Sequence, residues 1–250
     1  MLAPMTPTEE LFREDASLAD CDAIITLVDA GGVQLDRTVF YPLGGGQAGD
    51  SGVFTLADGS ALAIADTRKG AREGEIVHLP AAGQEALLAR LAPGLAVRAS
   101  IDRERRRRHM RFHTTTHLLC ALVPHPVNGC SITQGYARLD FHMNEPLDRE
   151  TLNAGLARLI AEAHPVRHRW ISEAELDANP GLVRSMSVQP PRGLGRVRVL
   201  EIDGVDLQPC GGTHVANTAD IGAVVVTKIE KKAAMTRRVI LGIADPDSQA

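Results

Sequence analysis

Residues 103–122 read RERRRRHMRFHTTTHLLCAL. The stretch contains neither Gly nor Pro and is rich in helix formers. Asp102 or Ser100 can cap its start, and Pro124 and Pro126 stop it. It predicts a helix over Arg103–Leu122. On that helix His113 and His117 are four residues apart, one turn along the same face, so two imidazoles can reach one metal ion. Such a pair does not define a site by itself, because two histidines on one helix face also occur as polar surface residues. The peptidase form of the motif puts a glutamate base directly after the first histidine. Here that position is Thr114, which removes a zinc-peptidase chemistry.

Upstream of this helix the pattern is different. Ala23–Val28, Val33–Tyr41, Val53–Leu56, Ala61–Ala65, Glu75–Leu79 and Leu95–Ile101 are short apolar or alternating runs. Gly31-Gly32, Asp58-Gly59, Gly70 and Pro93-Gly94 separate them as turns. Closely spaced short strands predict a small β-barrel, interrupted by one helical piece at Gln84–Leu91. Downstream, Tyr136–His142 alternates as a strand. Asp148–His164 is an amphipathic helix with Leu152, Leu156, Leu159 and Ile160 on one face. Ser172 and Glu175 form a capping box. Strands are expected at Arg196–Ile202, Ala223–Lys228 and Arg238–Ile243. The fold class is therefore α+β, with a barrel-like domain over residues 1–100 and a second domain over 101–250.

Charge changes sign near the same point. Residues 1–98 carry 7 basic and 14 acidic side chains, and the remainder carries 20 and 17. No apolar run approaches the roughly 18–20 residues that span a bilayer. The N-terminus turns acidic without a basic segment and apolar stretch, so a cytoplasmic location is expected. The four cysteines, Cys21, Cys120, Cys130 and Cys210, are too sparse for a disulfide framework.

Cys210-Gly-Gly-Thr-His214 supplies the second half of a metal site. It offers a thiolate and an imidazole in a tight turn, where Gly211 and Gly212 let the backbone fold sharply. His113, His117, Cys210 and His214 make a donor set suited to one tetrahedral zinc ion per chain. The run from Arg103 to Arg111 adds phosphate-binding capacity. Its single Glu104 cannot pair all its arginines, so Arg105, Arg106, Arg107 and Arg108 are candidate RNA contacts, with Arg237 and Arg238 in a second basic cluster. Gly44-Gly-Gly-Gln47-Ala-Gly-Asp50 lacks the Lys-Ser/Thr of a nucleotide-binding loop, and no ATP site is seen.

These segments resemble a known family. HTTTHLL (113–119) and CGGTHVANTADIG (210–222) are similar to the two zinc motifs of the editing domain of alanyl-tRNA synthetase and its free-standing derivatives. TVFYPLGGGQAGDSG (38–52) is similar to the glycine-rich motif of the preceding barrel-like domain. The resemblance covers nearly the whole chain and implies a zinc-dependent hydrolase that deacylates mischarged tRNA(Ala), carrying serine or glycine, at its acceptor end. It implies that Gly44, Gly45, Gly46, Gln47 and Asp50 border the cleft. Gln134 lies in a turn similar to the family's recognition segment, and Thr116 neighbours His117; both are candidates to read the substrate, with local backbone capping as the alternative. Residues 230–238 depart from the family, with Ala, Met and Thr where a glycine turn is usual. Two alternatives stay open. One is a zinc-stabilised RNA-binding module without catalysis; the other is a metallohydrolase of small esters or amides. Zinc either lowers the pKa of a water or positions the substrate, and Asp140 and Asp220 are distant candidates for a base.

Overall fold

The structure, a computed structural model, describes residues 7–186, 189–190, 192–193 and 195–244. Two compact units emerge. One comprises the described residues up to Gly44 together with Ala48–Arg107; the other comprises Gly45–Gln47 and the described residues from Arg108 onward.

The first unit is built from strands whose alternate residues are buried. β1 (Glu9–Glu10) and β4 (Arg37–Thr38) form a short parallel pair. β2 (Asp20–Asp29), β3 (Gly32–Leu35), β5 (Gly52–Leu56), β6 (Ala61–Lys69), β7 (Ile76–Pro80) and β8 (Ala96–Ile101) close into an antiparallel barrel in the order β2-β3-β7-β6-β5-β8. Successive strand residues point to opposite faces, so Ala23 and Ile25, Leu62 and Ile64, and Val97, Ala99 and Ile101 fill the interior with Phe40 and Phe54. The single strand expected at Val33–Tyr41 is broken. Asp36 Oδ1 accepts the N–H groups of Ile24 and Arg37 at 2.7 and 2.9 Å, which ties the chain down between β3 and β4. Val39, Phe40 and Tyr41 are buried outside any strand. The helical piece expected at Gln84–Leu91 is the single turn α1 (Glu85–Leu88).

Arg106, a candidate RNA contact, and Asp50, expected to border the cleft, are both buried, with side chains 3% and 1% exposed. Arg106 Nε donates to the two carboxylate oxygens of Asp50 at 3.2 and 3.0 Å. Its terminal nitrogens reach Ala16 O at 2.9 Å and Val39 O at 2.6 Å. Tyr41 N–H donates to Asp50 Oδ2 at 2.7 Å. A buried charge needs partners of this kind, and the pair has spent its hydrogen-bonding capacity inside the protein.

Helix α2 spans Arg103–Leu122, the span its composition predicts, and Asp102 Oδ1 caps it through Arg105 N–H at 3.0 Å. Phe112, Leu118, Leu119 and Cys120 join the core of the second unit. That core lies on an antiparallel sheet ordered β14 (Val224–Ala233), β15 (Thr236–Ile243), β10 (Ala137–Phe141), β9 (Val127–Ile132). Helix α3 (Arg149–Ala161), capped by Asp148 through Thr151 N–H, adds Leu152, Leu156 and Leu159. Burying each such side chain fully stabilises the fold by about 1.5–3 kcal/mol. A second antiparallel sheet holds β11 (Val166–Ser172), β12 (Arg196–Ile202) and β13 (Asp206–Pro209). The Ser172–Glu175 capping box opens α4 (Glu173–Ala178).

Chain segments also flank β9. Gly46 O accepts Ile132 N–H at 2.7 Å, and Gln47 bridges Ile132 in parallel. Gly46 has φ +87°, and a Cβ there would lie 2.9 Å from Cys130 O, so the position requires glycine. At the other end of β9, Val127 N–H donates to Arg184 O and Met186 N–H to Val127 O, at 2.9 and 2.8 Å. Among the described residues no helix is long and apolar enough to cross a membrane.

Candidate metal centre

The four donors predicted from the sequence converge. His113 and His117 project from α2. Cys210 follows β13 directly, and His214 lies one tight turn later. Their ligand atoms lie within 4.8 Å of one another. Cys210 Sγ is 3.5 Å from His113 Nε2 and 3.2 Å from His214 Nε2. A tetrahedral zinc ion with bonds of about 2.0–2.3 Å would set its ligands about 3.3–3.6 Å apart. The two Cys210 separations match that spacing, and three imidazoles with one thiolate are a donor set that suits zinc. The three imidazoles are 5–7% exposed, and Cys210 as a whole residue is half-buried.

Each histidine has a different partner at Nδ1. His113 meets Gln47 Oε1 at 2.8 Å, His117 meets Asp206 Oδ2 at 2.9 Å, and His214 meets Thr114 Oγ1 at 3.3 Å. An acceptor at Nδ1 keeps a proton there and leaves Nε2 for a metal. The Thr114 hydroxyl donates to Met110 O at 2.9 Å and so must accept from His214; it also accepts Val215 N–H at 3.3 Å. Asp206 is in turn held by Gln208 Nε2 at 2.8–3.0 Å and by Arg184 at 3.3 Å. Asp206, Gln208 and Cys210 alternate along β13 and its end, so a period of two puts all three on one face. That alternation in Asp-Leu-Gln-Pro-Cys was the readable clue to Asp206, which sequence reasoning missed along with Thr213 and the supporting role of Thr114.

Electrostatics point the same way. Burial alone would raise the Cys210 thiol pKa, but His113 and His214 beside it outweigh that and hold it well below its ordinary value. The thiolate is the form that binds metal. Burial lowers the pKa of His117, yet the hydrogen bonds to Asp206 and Cys210 win and push it up to about 10. Burial and the adjacent His113 push His214 down to about 3. The cluster thus concentrates negative charge around one cationic position, where a divalent ion would replace a proton.

One glycine of the pair, Gly212, has a steric reason. A Cβ at 212 would lie 2.1 Å from His113 Cε1 and 3.1 Å from Gln47 Oε1. Gly212→Ala is therefore expected to displace the His113 ring and weaken metal binding by at least the about 10–100-fold that a lost outer-shell contact costs. Competition with a zinc chelator measures it, and wild-type affinity would refute the steric account. The rest of the motif serves the fold. Asn217 caps the 3-10 turn Thr218–Ile221, and Thr218 Oγ1 donates to Leu159 O at 2.8 Å, fastening the loop to α3.

The remaining candidates are dispersed. Thr116 is buried and its hydroxyl donates to His113 O at 2.7 Å. Gln134 is exposed in the turn between β9 and β10. Gln47 is buried within the cluster, whereas Gly45 is exposed, and Gly44 O accepts the Tyr41 hydroxyl at 2.9 Å. Arg105 reaches Gly49 O at 3.1–3.3 Å, Arg107 is exposed and Arg108 is half-buried. Arg237 is buried against the carbonyls of Ala233, Ala234, Thr236 and Asn144. Arg238 makes a two-pronged pair with Asp140 at 2.7 and 2.8 Å, and Arg138 joins it at 2.7 Å. Desolvation raises the Asp140 pKa, but the two arginines prevail and lower it, the wrong direction for a base. Asp220 is exposed in the 3-10 turn.

Residues 197–240 match the family model described as the threonyl and alanyl tRNA synthetase second additional domain. Over 249 residues the chain is 32% identical to the alanyl-tRNA editing protein AlaX-M of Methanosarcina acetivorans, covering 95% of this chain and 100% of that one. It is 30% identical over 244 residues to the AlaX-M protein of Saccharolobus solfataricus, covering 93% and 97%. It is also 35% identical over 237 residues to the alanine–tRNA ligase of Metallosphaera sedula, covering 91% of this chain and 25% of the ligase. With full-length identity at this level and the paired metal motifs in place, the chain belongs to the family of alanyl-tRNA editing proteins.

Proposed function

We propose that this chain is a zinc-dependent deacylase that hydrolyses the ester of mischarged tRNA(Ala), with Ser-tRNA(Ala) its main substrate and Gly-tRNA(Ala) a second. The observation that carries the reading is the convergence of three imidazoles and one thiolate on a single point, each imidazole held with Nε2 inward. The names of the full-length relatives support the substrate class. A bound zinc ion would supply Lewis acidity, against which a water or the amino group of the aminoacyl ester is held. The residues of the chain do the rest. His113, His117 and His214 are kept in one tautomer, and Cys210 adds the anionic donor. Thr116 spends its proton on His113 O and so offers only acceptor lone pairs, which suit the hydroxyl of a misattached serine. Gln134, on the exposed turn, is proposed to reach the same amino acid. Discrimination by such polar groups is needed because an alanine pocket rejects serine and glycine imperfectly.

The acceptor end of the tRNA is proposed to run along the exposed side of α2, with Arg105, Arg107 and Arg108 at its phosphates. Replacing Arg107 and Arg108 together by alanine should make the dependence of log affinity on log salt shallower by about one per charge removed. An unchanged slope would discard that path. The domain division proposed is a barrel domain over 1–100 and an editing domain over 101–250, and the setting proposed is the cytoplasm.

The function is tested with Ser-, Gly- and Ala-tRNA(Ala), following ester loss with and without a zinc chelator. Chelator-sensitive loss of serine or glycine with alanine spared supports the deacylase. A second reading has its own observation: four protein donors complete a tetrahedron, as in structural zinc sites. Retained RNA binding and bound zinc with no turnover would favour that non-catalytic module.

A further inference from the structure

We propose that Gln47 is a positioning residue of the metal centre, and that the glycine-rich segment acts on the ligands rather than on the RNA. The inference rests on the metal-binding reading of the cluster. Gln47 is fully buried and stands between the two ligand-bearing segments. Its Oε1 accepts from His113 Nδ1 at 2.8 Å and from Thr213 N–H at 3.2 Å, and its Nε2 donates to Thr213 Oγ1 at 2.9 Å.

The orientation of this amide is dictated. The backbone N–H of Thr213 can only donate, so a flipped amide would set two donors face to face. Oε1 must therefore face Thr213 N–H, and the same oxygen faces His113. An acceptor at Nδ1 leaves the neutral ring one arrangement, with its proton on Nδ1 and a lone pair on Nε2. A chain of fixed donors thus runs from the Thr213 backbone through Gln47 to the metal-facing atom of His113. Asp206 does the corresponding work for His117 with a full negative charge; Gln47 does it without adding charge.

The same side chain also sets a distance. Thr213 lies between Cys210 and His214, so Gln47 joins one of the two helix ligands, His113, to the loop that carries Cys210 and His214. Its own backbone is pinned, because Gly46 O accepts Ile132 N–H at 2.7 Å. Gly46 takes a left-handed conformation and packs on Cys130, so the glycine delivers the glutamine to this position. Nothing about Gln47 then requires RNA.

The test uses the full-length Gln47→Leu and Gln47→Glu variants. The readouts are zinc affinity by chelator competition, the absorption spectrum of the cobalt(II)-substituted protein, and kcat and KM on Ser-tRNA(Ala). Gln47→Leu keeps the bulk but removes the acceptor, and is expected to bind zinc about 10–100-fold more weakly with an altered cobalt spectrum. Gln47→Glu keeps an acceptor for His113 and for Thr213 N–H, while the Thr213 hydroxyl can turn to donate; it should stay near wild type in both. If Gln47→Leu does not fold, Thr213→Val removes the lower bond alone and should weaken zinc several-fold. Wild-type zinc affinity and cobalt spectrum in Gln47→Leu, or in Thr213→Val as its substitute, would overturn the proposal. Unchanged affinity with a raised KM would overturn it in favour of an RNA contact. A wild-type chain that takes up no zinc would instead bring down the metal reading beneath it.

Discussion

Cys210→Ala is expected to reduce deacylation of Ser-tRNA(Ala) to the uncatalysed background and to leave the purified protein with little bound zinc. The thiolate is the one anionic donor of the four, and the other three are neutral imidazoles when they bind metal. Its removal takes away both a bond and the negative charge that balances the ion, so the loss should exceed the about 10–100-fold cost of disturbing an outer hydrogen bond. Cys210→Ser should do nearly as badly, because a serine hydroxyl does not ionise near neutral pH as the thiol does. Metal analysis and single-turnover deacylation on the same samples check both statements. A zinc-free Cys210→Ala protein with full activity would end the metal-dependent mechanism. A zinc-loaded, inactive one would shift the role of Cys210 from ligation to substrate contact.

The largest effect on stability is expected at Asp50 and Arg106. Removing either partner leaves the other charged and buried, with its remaining hydrogen bonds poorly matched. Such losses cost about 3–5 kcal/mol. At about 2–4 °C per kcal/mol for a chain of this size, Asp50→Ala should lower the melting temperature by about 6–20 °C. The double variant Asp50→Ala with Arg106→Ala should cost less than the sum of the singles, because the two share one interaction. Thermal and urea melts of the three proteins decide it. A melting temperature within 2 °C of wild type in Asp50→Ala would mean that the pair is dispensable, and a raised KM for tRNA alongside it would return Asp50 to the RNA.

The arginine run shows why the sequence was only partly legible. Arg103 to Arg108 look alike as a string, and a phosphate clasp is the natural inference. Yet Arg106 is followed at spacings of three and four by His109, His113 and His117, all buried. That spacing marks one stripe of the helix, so Arg106 belongs with the interior set. What the string could not reveal was its partner, since Asp50 lies 56 residues away. The metal donors were legible because half the site is local, an i, i+4 pair on an uninterrupted helix, and the other half is a five-residue loop. Helix α2 was legible for the same reason, being bounded by an Asp cap and two prolines. β9 was not, because Asn128-Gly129 has the composition of a turn and only its pairing with β10 makes it a strand. β11 was hidden by Arg167, His168 and Arg169, and its partner β12 begins only after α4. The contacts of Gln47 to His113 and Thr213 were not legible because they span 66 and 166 residues.

The segments flanking β9 carry one more consequence. β9 is the last strand of its sheet, and a terminal strand normally leaves a row of amide and carbonyl groups on which a second chain can add itself. Here Gly46 and Gln47 occupy one end of that row, and Arg184 to Met186 occupy the other. The segment that steadies a metal ligand therefore also shuts one end of a template for self-association. A shortened chain beginning after Gln47 would lose both at once: an imperfect metal centre beside a newly sticky margin, prone to pair with its neighbours and precipitate.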